Sequence, residues 1–117
     1  MATQDGCIFC KIANHVIESD YVYEDDLVVA FRDMNPVAPT HVLVVPKEHY
    51  DNLVDDVPAA TLAAMAHAVD EVARKEGVRE RGFRTIANTG DDAGQTVRHL
   101  HWHVIGGVKL GEGLIAG

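Results

Sequence analysis

Positive charge is scarce in this sequence, and the shortage excludes several classes of function. Ten lysines and arginines stand against 18 aspartates and glutamates, so the formal net charge is −8 at pH 7. Proteins that bind nucleic acid or a membrane surface through phosphate groups need clustered basic side chains. We therefore expect neither a nucleic-acid polymer nor a membrane as partner. A pocket for one nucleotide is still compatible with this charge, because a few local donors suffice.

Long hydrophobic runs are also missing. No apolar stretch approaches the ~20 residues that a transmembrane helix needs, and the first five residues lack the basic start and apolar core of a secretory signal. We therefore expect a cytoplasmic protein. The length of 117 residues corresponds to a single domain. We expect its core to span about residues 5–107, followed by a C-terminal tail over 108–117.

Hydrophobic periodicity predicts a fold that contains both helices and strands. A long helix is expected over 57–76, where apolar residues recur at helical spacing and Gly77 follows as a C-cap. The other predicted elements are a short helix over 6–14 and strands over 21–24, 27–32, 40–46, 83–88 and 96–105. Short turns join several of the strands, which favours antiparallel pairing. The sequence therefore predicts an α+β fold: a five-stranded antiparallel sheet with one short N-terminal helix and one long helix.

Histidine is the residue type that the sequence has in excess, with seven in all and three in the predicted fifth strand. His99, His101 and His103 alternate with apolar residues, and alternate side chains of a strand point to opposite faces. The three imidazoles are therefore expected to share one face. The opposite face is expected to pack against the long helix through Leu100, Trp102 and Val104.

Three uses of such a histidine row are chemically reasonable. The imidazoles can lie on a solvated surface, bind a catalytic zinc ion with an open water position, or act in nucleophilic catalysis at phosphorus or a carbonyl carbon. In the third use, crowded imidazoles disfavour one another's charged form, which keeps the nucleophile neutral. The adjoining loop over 89–94 has two glycines, which let the backbone approach a ligand closely. Gln95, Thr96 and the loop amides are neutral donors suited to phosphate oxygens.

The two cysteines of the chain, Cys7 and Cys10, form a C-x-x-C pair near the N-terminus. Such a pair can be a redox dithiol, but that motif normally follows a strand, and no strand is predicted before it. A disulfide rarely persists in the cytosol. Two further interpretations are a pair of inert thiols and one half of a tetrahedral zinc site, which needs two more ligands.

Several segments carry a resemblance to a known family. Residues 99–105 follow the pattern His-φ-His-φ-His-φ-φ, in which φ is an apolar residue. The agreement extends to other segments, which together with this one cover most of residues 5–107: 7–12, 31–36, 39–49, 88–98 and 106–107. The chain resembles the histidine triad (HIT) superfamily, and within it most closely the Hint branch of nucleoside phosphoramidase-like proteins.

This resemblance implies a homodimer in which two five-stranded sheets join, and a hydrolase that attacks the α-phosphorus of a purine nucleotide. The substrates would be phosphoramidates of nucleotides such as AMP or GMP. His101 matches the nucleophile, which becomes transiently nucleotidylated, and His103 matches a phosphate-binding, proton-handling partner. His99 matches the first triad histidine, and His41 a supporting histidine. Alternative activities of the same site are dinucleoside polyphosphate hydrolysis, nucleotidyl transfer, and nucleotide binding with little turnover in a regulatory protein.

The resemblance also implies how a nucleotide is held. Asn88, Gln95 and Thr96 match positions around the phosphate, and Asp33 matches the residue that accepts hydrogen bonds from the ribose hydroxyls. Six apolar residues match the cleft for the base, although composition alone predicts them as core: Ile8, Phe9, Ile12, Phe31, Met34 and Leu43.

For the cysteine pair, the resemblance supplies the two missing ligands. Many bacterial members of the family bind a structural zinc ion with this pair, the histidine that matches His49 and the first triad histidine, here His99. The implied Zn²⁺, bound by Cys7, Cys10 and these histidines, has no open coordination position. No cofactor is implied for catalysis.

Three features depart from the family pattern. Trp102 is bulky for its position between two triad histidines, and Arg98 is an unusual residue just before the triad. The tail over 108–117 lacks the Trp-containing ending of many Hint proteins. In that branch the tail reaches the active site of the partner subunit and influences the choice of leaving group, so the leaving group is the least defined part of the expected substrate.

Overall fold

The structure, a computed structural model, describes residues 3–4 and 6–113. Its helices and strands, in chain order, are α1 (Ile8–Ala13), β1 (Tyr21–Glu24), β2 (Val28–Arg32), β3 (Thr40–Pro46), α2 (Ala59–Lys75), β4 (Phe83–Ile86) and β5 (Trp102–Gly106). A short 3-10 turn, Asp91–Ala93, lies between β4 and β5. In this described part of the chain, no helix is long and apolar enough to cross a membrane.

All five strands form one antiparallel sheet in the order β1-β2-β3-β5-β4. β3 lies at its centre between β2 and β5, while β1 and β4 form the two edges. The predicted α+β class, with one short and one long helix, is confirmed. The crossover through α2 brings the C-terminal strand β5 next to β3, and this pairing places the triad segment beside the end of β3.

The two helices cover opposite faces of the sheet. The core cluster on the α2 face consists of Val28, Ala30, Val42, Val44, Met65, Ala68, Val72, Leu100 and Val104. The cluster on the α1 face consists of Phe9, Ile12, Ala13, Val29, Phe31, Leu43 and Val45. Successive residues of β2 and β3 alternate between the two clusters, because successive side chains of a strand point to opposite faces. Both strands are therefore apolar along most of their length rather than alternating with polar residues.

The fifth strand is shorter than the sequence predicts, since it begins at Trp102 rather than at residue 96. Its neighbour β3 ends at Pro46, which has no N–H to continue the ladder. The Pro46 carbonyl is also occupied, because it accepts a hydrogen bond from His99 Nε2 at 2.9 Å. Only His103 of the triad therefore lies within β5, and the first two histidines lie in a bent segment before it.

The predicted division of faces nevertheless holds through this bend. Leu100 and Val104 are buried in the cluster on the α2 face, and Trp102 packs against it. The predicted packing of these three residues against the long helix is confirmed. The histidines are consequently left on the side of the sheet that α1 covers.

The other predicted elements agree with the observed ones to within two residues at each end. α2 begins at Ala59, with Pro58 as N-cap, and Gly77 follows its end with a positive φ of 72°. After β5, residues 108–113 form neither helix nor strand, and residues 114–117 lie outside the described part of the chain. The division into a core over about 5–107 and a tail stays a prediction.

Candidate active site

A backbone carbonyl sets the position of the proton on His101. The Nδ1 atom of this ring lies 2.7 Å from the His99 carbonyl oxygen. A carbonyl oxygen only accepts hydrogen bonds, so Nδ1 carries the proton and Nε2 keeps its lone pair. Burial lowers the pKa of His101, because a buried site disfavours the imidazolium form. A neutral ring with a free Nε2 lone pair is the form that nucleophilic attack requires.

A second series of hydrogen bonds sets the proton on His103. The Val37 N–H donates to His41 Nδ1 at 3.1 Å, so a neutral His41 ring carries its proton on Nε2. That Nε2 lies 2.9 Å from His103 Nδ1 and 3.4 Å from Asp33 Oδ2. His41 thus donates to His103 Nδ1, and His103 carries its own proton on Nε2. The rings of His103 and His101 are neighbours, with centroids 5.2 Å apart.

Both candidate catalytic rings are held in the neutral form. Burial, followed by the neighbouring His101 and His41, lowers the pKa of His103 to about 4. The expectation that crowded imidazoles disfavour one another's charge therefore agrees with the geometry. Their Nδ1 atoms are occupied by different partners, and among the described residues the three triad histidines do not form a metal-ligand group together. Asp33, His41 and His103 do form a group that could hold a metal ion, so a zinc ion at this end of the row stays an alternative interpretation.

The first triad histidine faces a different set of partners. His99 is fully buried, and its Nε2 donates to the Pro46 carbonyl at 2.9 Å. The Nδ1 lone pair therefore points the other way, towards Cys7 Sγ at 3.2 Å and Cys10 Sγ at 3.3 Å. The two cysteines are not joined by a disulfide.

His49 completes a cluster of four possible metal ligands. Its Nε2 lies 2.8 Å from Asp51 Oδ1, which leaves the Nδ1 lone pair 3.3 Å from Cys10 Sγ. Four ligand atoms lie within 4.8 Å of one another, those of Cys7, Cys10, His49 and His99. Bond lengths of ~2.3 Å to sulfur and ~2.0–2.1 Å to nitrogen give a tetrahedral zinc site edges of roughly 3.3–3.8 Å. The donor set therefore fits zinc in both chemistry and spacing.

The two thiols of this cluster differ in their surroundings. Cys7 is the N-cap of α1, and its Sγ accepts the Cys10 N–H at 3.3 Å. Burial raises the pKa of the Cys10 thiol to about 11. A bound cation reverses that preference, because a coordinating thiol is deprotonated. Without a cation, burial therefore opposes ionisation of the Cys10 thiol, and a bound metal ion would stabilise the thiolate.

The loop before the triad is braced by a buried glutamine. Gln95 Oε1 accepts the Gly90 N–H at 2.9 Å, and Nε2 donates to the carbonyls of Asp51 at 2.6 Å and Val97 at 3.0 Å. Both ends of the amide are thus used within the protein. The position of Gln95 around a bound phosphate stays a prediction.

Two glycines shape this loop. Gly90 and Gly94 have φ values of 82° and 77°, a left-handed region that other residues rarely adopt, and they flank the 3-10 turn Asp91–Ala93. Asn88 lies half-buried before the loop, and Thr96 lies exposed after it. The loop therefore joins the three predicted phosphate neighbours into one short segment.

The residues predicted to hold the base and ribose are only partly brought together. Those that are buried in the cluster on the α1 face are Phe9, Ile12, Phe31 and Leu43. Phe9 lies edge-on to His101, with ring centroids 5.0 Å apart, so this cluster adjoins the candidate nucleophile. Ile8 is 43% exposed, whereas Met34 is 90% exposed and lies in neither core cluster. The structure therefore groups four of the six in one cluster and leaves Ile8 and Met34 outside it.

Sequence reasoning missed the groups that orient the histidines. Most are backbone groups, namely the carbonyls of Pro46 and His99 and the Val37 N–H, and a sequence carries no signal for the direction of a backbone group. Asp51 was also missed. Its position two residues after His49 is a usable signal, because metal-binding histidines usually donate their second N–H to a carboxylate or a carbonyl.

Comparisons with known proteins agree with this geometry. The sequence profile described as HIT domain matches residues 14–110. The chain is 46% identical over 107 residues to the purine nucleoside phosphoramidase of Escherichia coli (strain K12), with 89% of each chain covered. It is also 46% identical over 104 residues to protein HitA of Neisseria gonorrhoeae, with 87% of this chain and 96% of HitA covered.

Solved structures show the same relationship. A histidine triad protein from Clostridium difficile superposes with a TM-score of 0.89 at 48% identity, over 96% of this chain and 99% of that chain. A HIT family hydrolase from Clostridium thermocellum superposes with a TM-score of 0.90 at 43% identity, over 97% and 100%. The sheet order and the paired imidazoles define a histidine triad protein. The chain belongs to the HIT family.

Proposed function

We propose that this protein is a nucleotide hydrolase that cleaves the P–N bond of purine nucleoside 5′-phosphoramidates and releases a monophosphate such as AMP or GMP. The observation that carries the proposal is the 2.7 Å hydrogen bond from His101 Nδ1 to the His99 carbonyl. It leaves a neutral imidazole with a free Nε2 lone pair, next to a His103 ring that offers an N–H. The name of the relative in Escherichia coli supports this substrate class.

In the first proposed step, His101 Nε2 attacks the α-phosphorus. The P–Nε2 bond forms while the P–N bond to the leaving group breaks, and the leaving nitrogen takes the electron pair and a proton from water. The attacking ring becomes positively charged, and the His99 carbonyl stabilises that charge through the Nδ1–H bond. His103 Nε2–H donates to a phosphoryl oxygen, so that negative charge developing there is stabilised.

In the second proposed step, water attacks the phosphorus of the nucleotidylated His101. The P–Nε2 bond breaks, the monophosphate leaves, and Nε2 regains its lone pair. The proton of the attacking water passes to solvent. His41 keeps His103 in the same tautomer through both steps, because its Nε2–H remains bonded to His103 Nδ1. The proposed steps use only these side chains and require no cofactor.

The remaining site residues bind the nucleotide in this proposal. Asp33 Oδ1 accepts the Asn35 N–H at 2.8 Å, and the carboxylate has further lone pairs for the ribose hydroxyls. Asn88 and Thr96 flank the glycine loop and donate to the phosphate. The apolar cluster next to His101 and the exposed Ile8 form the surface on which the base packs.

The proposed cofactor is a structural Zn²⁺ bound by Cys7, Cys10, His49 and His99. Four protein ligands fill a tetrahedral shell, so the ion would have no open position and would act only as a crosslink. It would tie the start of α1 to the segment after β3 and to the triad segment. His99 would then bind the ion through its ring, while its backbone carbonyl accepts the hydrogen bond from His101 Nδ1.

The proposed assembly is a homodimer formed through β4. This strand lies at an edge of the sheet, where unpaired backbone groups invite another strand. Arg84 on β4 donates to the Gly111 carbonyl through Nη2, yet its Nη1 is buried and has no partner in the described part of the chain. A second copy that pairs its own β4 would satisfy the unpaired backbone groups of this edge. Sedimentation equilibrium should give twice the mass of one chain.

AMP release from adenosine 5′-phosphoramidate tests the proposed activity. Wild type should turn over, and His101→Ala should be slower by roughly a thousandfold or more, because the nucleophile is lost. His67→Ala is the matched control, since His67 is exposed on α2 and its replacement should leave AMP release unchanged. After a denaturing quench at alkaline pH, in which a P–N bond to histidine survives, wild type but not His101→Ala should carry a covalent nucleotide.

Two results would overturn this proposal. Equal AMP release from wild type and His101→Ala would show that the triad is not the source of the activity. No release from either protein would exclude phosphoramidate cleavage. Dinucleoside polyphosphates would then be tried as substrates, and AMP binding by calorimetry would separate a different hydrolase from a nucleotide-binding protein with little turnover.

A further inference from the structure

Arg98 makes contacts that the proposed reaction does not use. Its side chain is 49% exposed, yet the guanidinium is held at two points. Nη2 donates to Asp91 Oδ1, and Nη1 lies 3.5 Å from Gln95 Oε1. Both partners belong to the loop that precedes the triad, so Arg98 connects the start of the triad segment back to that loop.

The two contacts of Arg98 reach different parts of the loop, one exposed and one buried. Asp91 opens the exposed 3-10 turn at the outer end, whereas Gln95 is the buried amide that also binds Gly90, Asp51 and Val97. Residues 91–94 are all exposed, so few other side-chain contacts fix that outer turn. A guanidinium suits this task because its planar array of N–H donors can serve two acceptors at once.

The conformation of this loop matters for phosphate binding. Gly90 and Gly94 adopt positive φ values, and glycine loses more conformational freedom on ordering than any other residue. A loop that is ordered before the ligand arrives binds more tightly than one that must order on binding. Any contact that holds the turn in place therefore contributes to affinity without touching the nucleotide.

We propose that Arg98 is a positioning residue that, through Asp91 and Gln95, holds the glycine loop in its phosphate-binding conformation. The expected effect on nucleotide binding and turnover rests on the proposed function, whereas the expected effect on the order of the loop does not. The other role considered for Arg98 is direct contact with an anionic leaving group. A cavity of about 450 Å³, lined by Arg98, Thr96 and Ile8 among others, gives such a group room. The contact to Asp91 favours positioning, because that carboxylate already neutralises the guanidinium and would repel an anion.

Amide hydrogen exchange on the nucleotide-free protein tests the structural part. Arg98→Ala and Asp91→Ala should each accelerate exchange at Gly90, Gly94 and Gln95 by roughly fivefold, the scale of a partly exposed ion pair. Arg98→Lys should lie between wild type and Arg98→Ala, since an ammonium can pair with Asp91 but does not reproduce the fork. Unchanged exchange in Arg98→Ala would overturn the proposal, whether or not the protein is a hydrolase.

The control for this experiment is Arg79→Ala. Arg79 is similarly exposed and is paired with a carboxylate, at 2.6 Å from Asp70, but it lies in the turn between α2 and β4 rather than at the loop. Its removal should leave loop exchange and turnover unchanged. An equal acceleration in this variant would mean that the loop responds to general destabilisation, and would remove the support for Arg98.

Binding and kinetics separate positioning from direct contact. The Kd for AMP and the KM for adenosine 5′-phosphoramidate should rise roughly fivefold in Arg98→Ala and in Asp91→Ala, with less change in kcat. The double variant should be no worse than Arg98→Ala alone, because removal of Arg98 already breaks its contact with Asp91. If Asp91→Ala instead leaves Kd and KM unchanged while Arg98→Ala weakens binding, Arg98 touches the ligand itself and the positioning role is wrong.

Discussion

His99 and His101 are two residues apart and lie on the same side of the sheet, yet they are held in opposite tautomers. His99 donates through Nε2 to the Pro46 carbonyl and directs its Nδ1 lone pair at two thiols. His101 donates through Nδ1 to the His99 carbonyl and keeps its lone pair on Nε2. The difference teaches that a backbone carbonyl decides which nitrogen of an imidazole in this row keeps its lone pair: Nδ1, facing the two thiols, in His99 and Nε2 in His101.

The two regions are also joined through one residue. The ring of His99 belongs to the thiol cluster, while its carbonyl orients His101. His103 lies further along and depends instead on His41 and the Val37 N–H. A change in the cluster should therefore affect mainly stability and His101, whereas a change at His41 should affect mainly His103.

The largest expected effect is on stability and follows from loss of the proposed zinc ion. Cys10→Ser should abolish zinc binding, because a serine hydroxyl is a poor ligand for this ion. The free energy of unfolding should fall by about 4 kcal/mol where free zinc is 1,000-fold above its Kd. Urea unfolding with and without a chelator measures the change, and elemental analysis of protein purified without chelators should give one zinc per wild-type chain.

His101→Ala is the matched variant for that experiment. It should keep its zinc and nearly all of its stability while it loses turnover. Cys10→Ser, by contrast, should lose zinc and stability. The chelator should have no effect on Cys10→Ser. Wild-type protein that contains no zinc, or that is equally stable in the chelator, would contradict the structural role of the ion.

An effect of intermediate size, on turnover, is expected from replacement of His41, which contacts His103 at the C-terminal end of the histidine row. His41→Ala removes the donor to His103 Nδ1, so the His103 proton is no longer held on Nε2. We expect kcat to fall by roughly ten- to a hundredfold, with zinc content unchanged. His41→Gln, whose side-chain amide can still donate, should retain more activity than His41→Ala. Equal losses in the two variants would show that the tautomer of His103 does not depend on this hydrogen bond.

The smallest expected effect is the pH dependence contributed by His103. Burial and the neighbouring histidines lower its pKa from 6.5 to about 4 in the folded state. Between these values the unfolded chain binds more protons, so stability rises with pH across that window and is lost as the pH falls from 6.5 towards 4. Allowing for the partial exposure of the ring, the contribution lost between pH 7 and pH 5 is about 1 kcal/mol.

Urea unfolding of wild type and His103→Asn at pH 7 and pH 5 isolates this contribution. Both proteins keep the other buried histidines, so only the difference between their pH dependences belongs to His103. The wild type should lose more stability than the variant on going to pH 5. Identical losses would mean that His103 titrates in the folded protein as it does in the unfolded chain.

Much of the fold could be predicted because burial leaves a pattern in the residues. β2 and β3 are apolar along most of their length, and α2 has apolar residues at helical spacing. The start of β5 was predicted wrongly, because the alternation of histidine and apolar residues continues through 99–101, whereas the β3–β5 ladder ends at the pair of Val44 and Trp102. The alternation reports which side is buried, and it does not report whether a partner strand is present.

The candidate site, like the fold, could be predicted from the sequence only in part. Residue types and spacing singled out the histidine row and the cysteine pair, and the family resemblance added His41 and His49. The structure brings together the four cluster residues and the pair of His101 and His103. Met34 was predicted for the base cleft and is exposed in the loop between β2 and β3. The contacts of Arg98 could not be predicted, because they depend on how the glycine loop folds back onto the triad segment.

By itself the sequence determined the class of fold and the kinds of chemistry that are available. Alternation and helical spacing specify which faces are buried, and imidazoles and thiols at these positions limit the site to metal binding and to nucleophilic or acid–base catalysis. Only the tertiary structure decided which nitrogen of each ring carries the proton. The proton position on each ring depends on a partner brought close by folding, such as the Pro46 carbonyl, 53 residues before His99 in the chain.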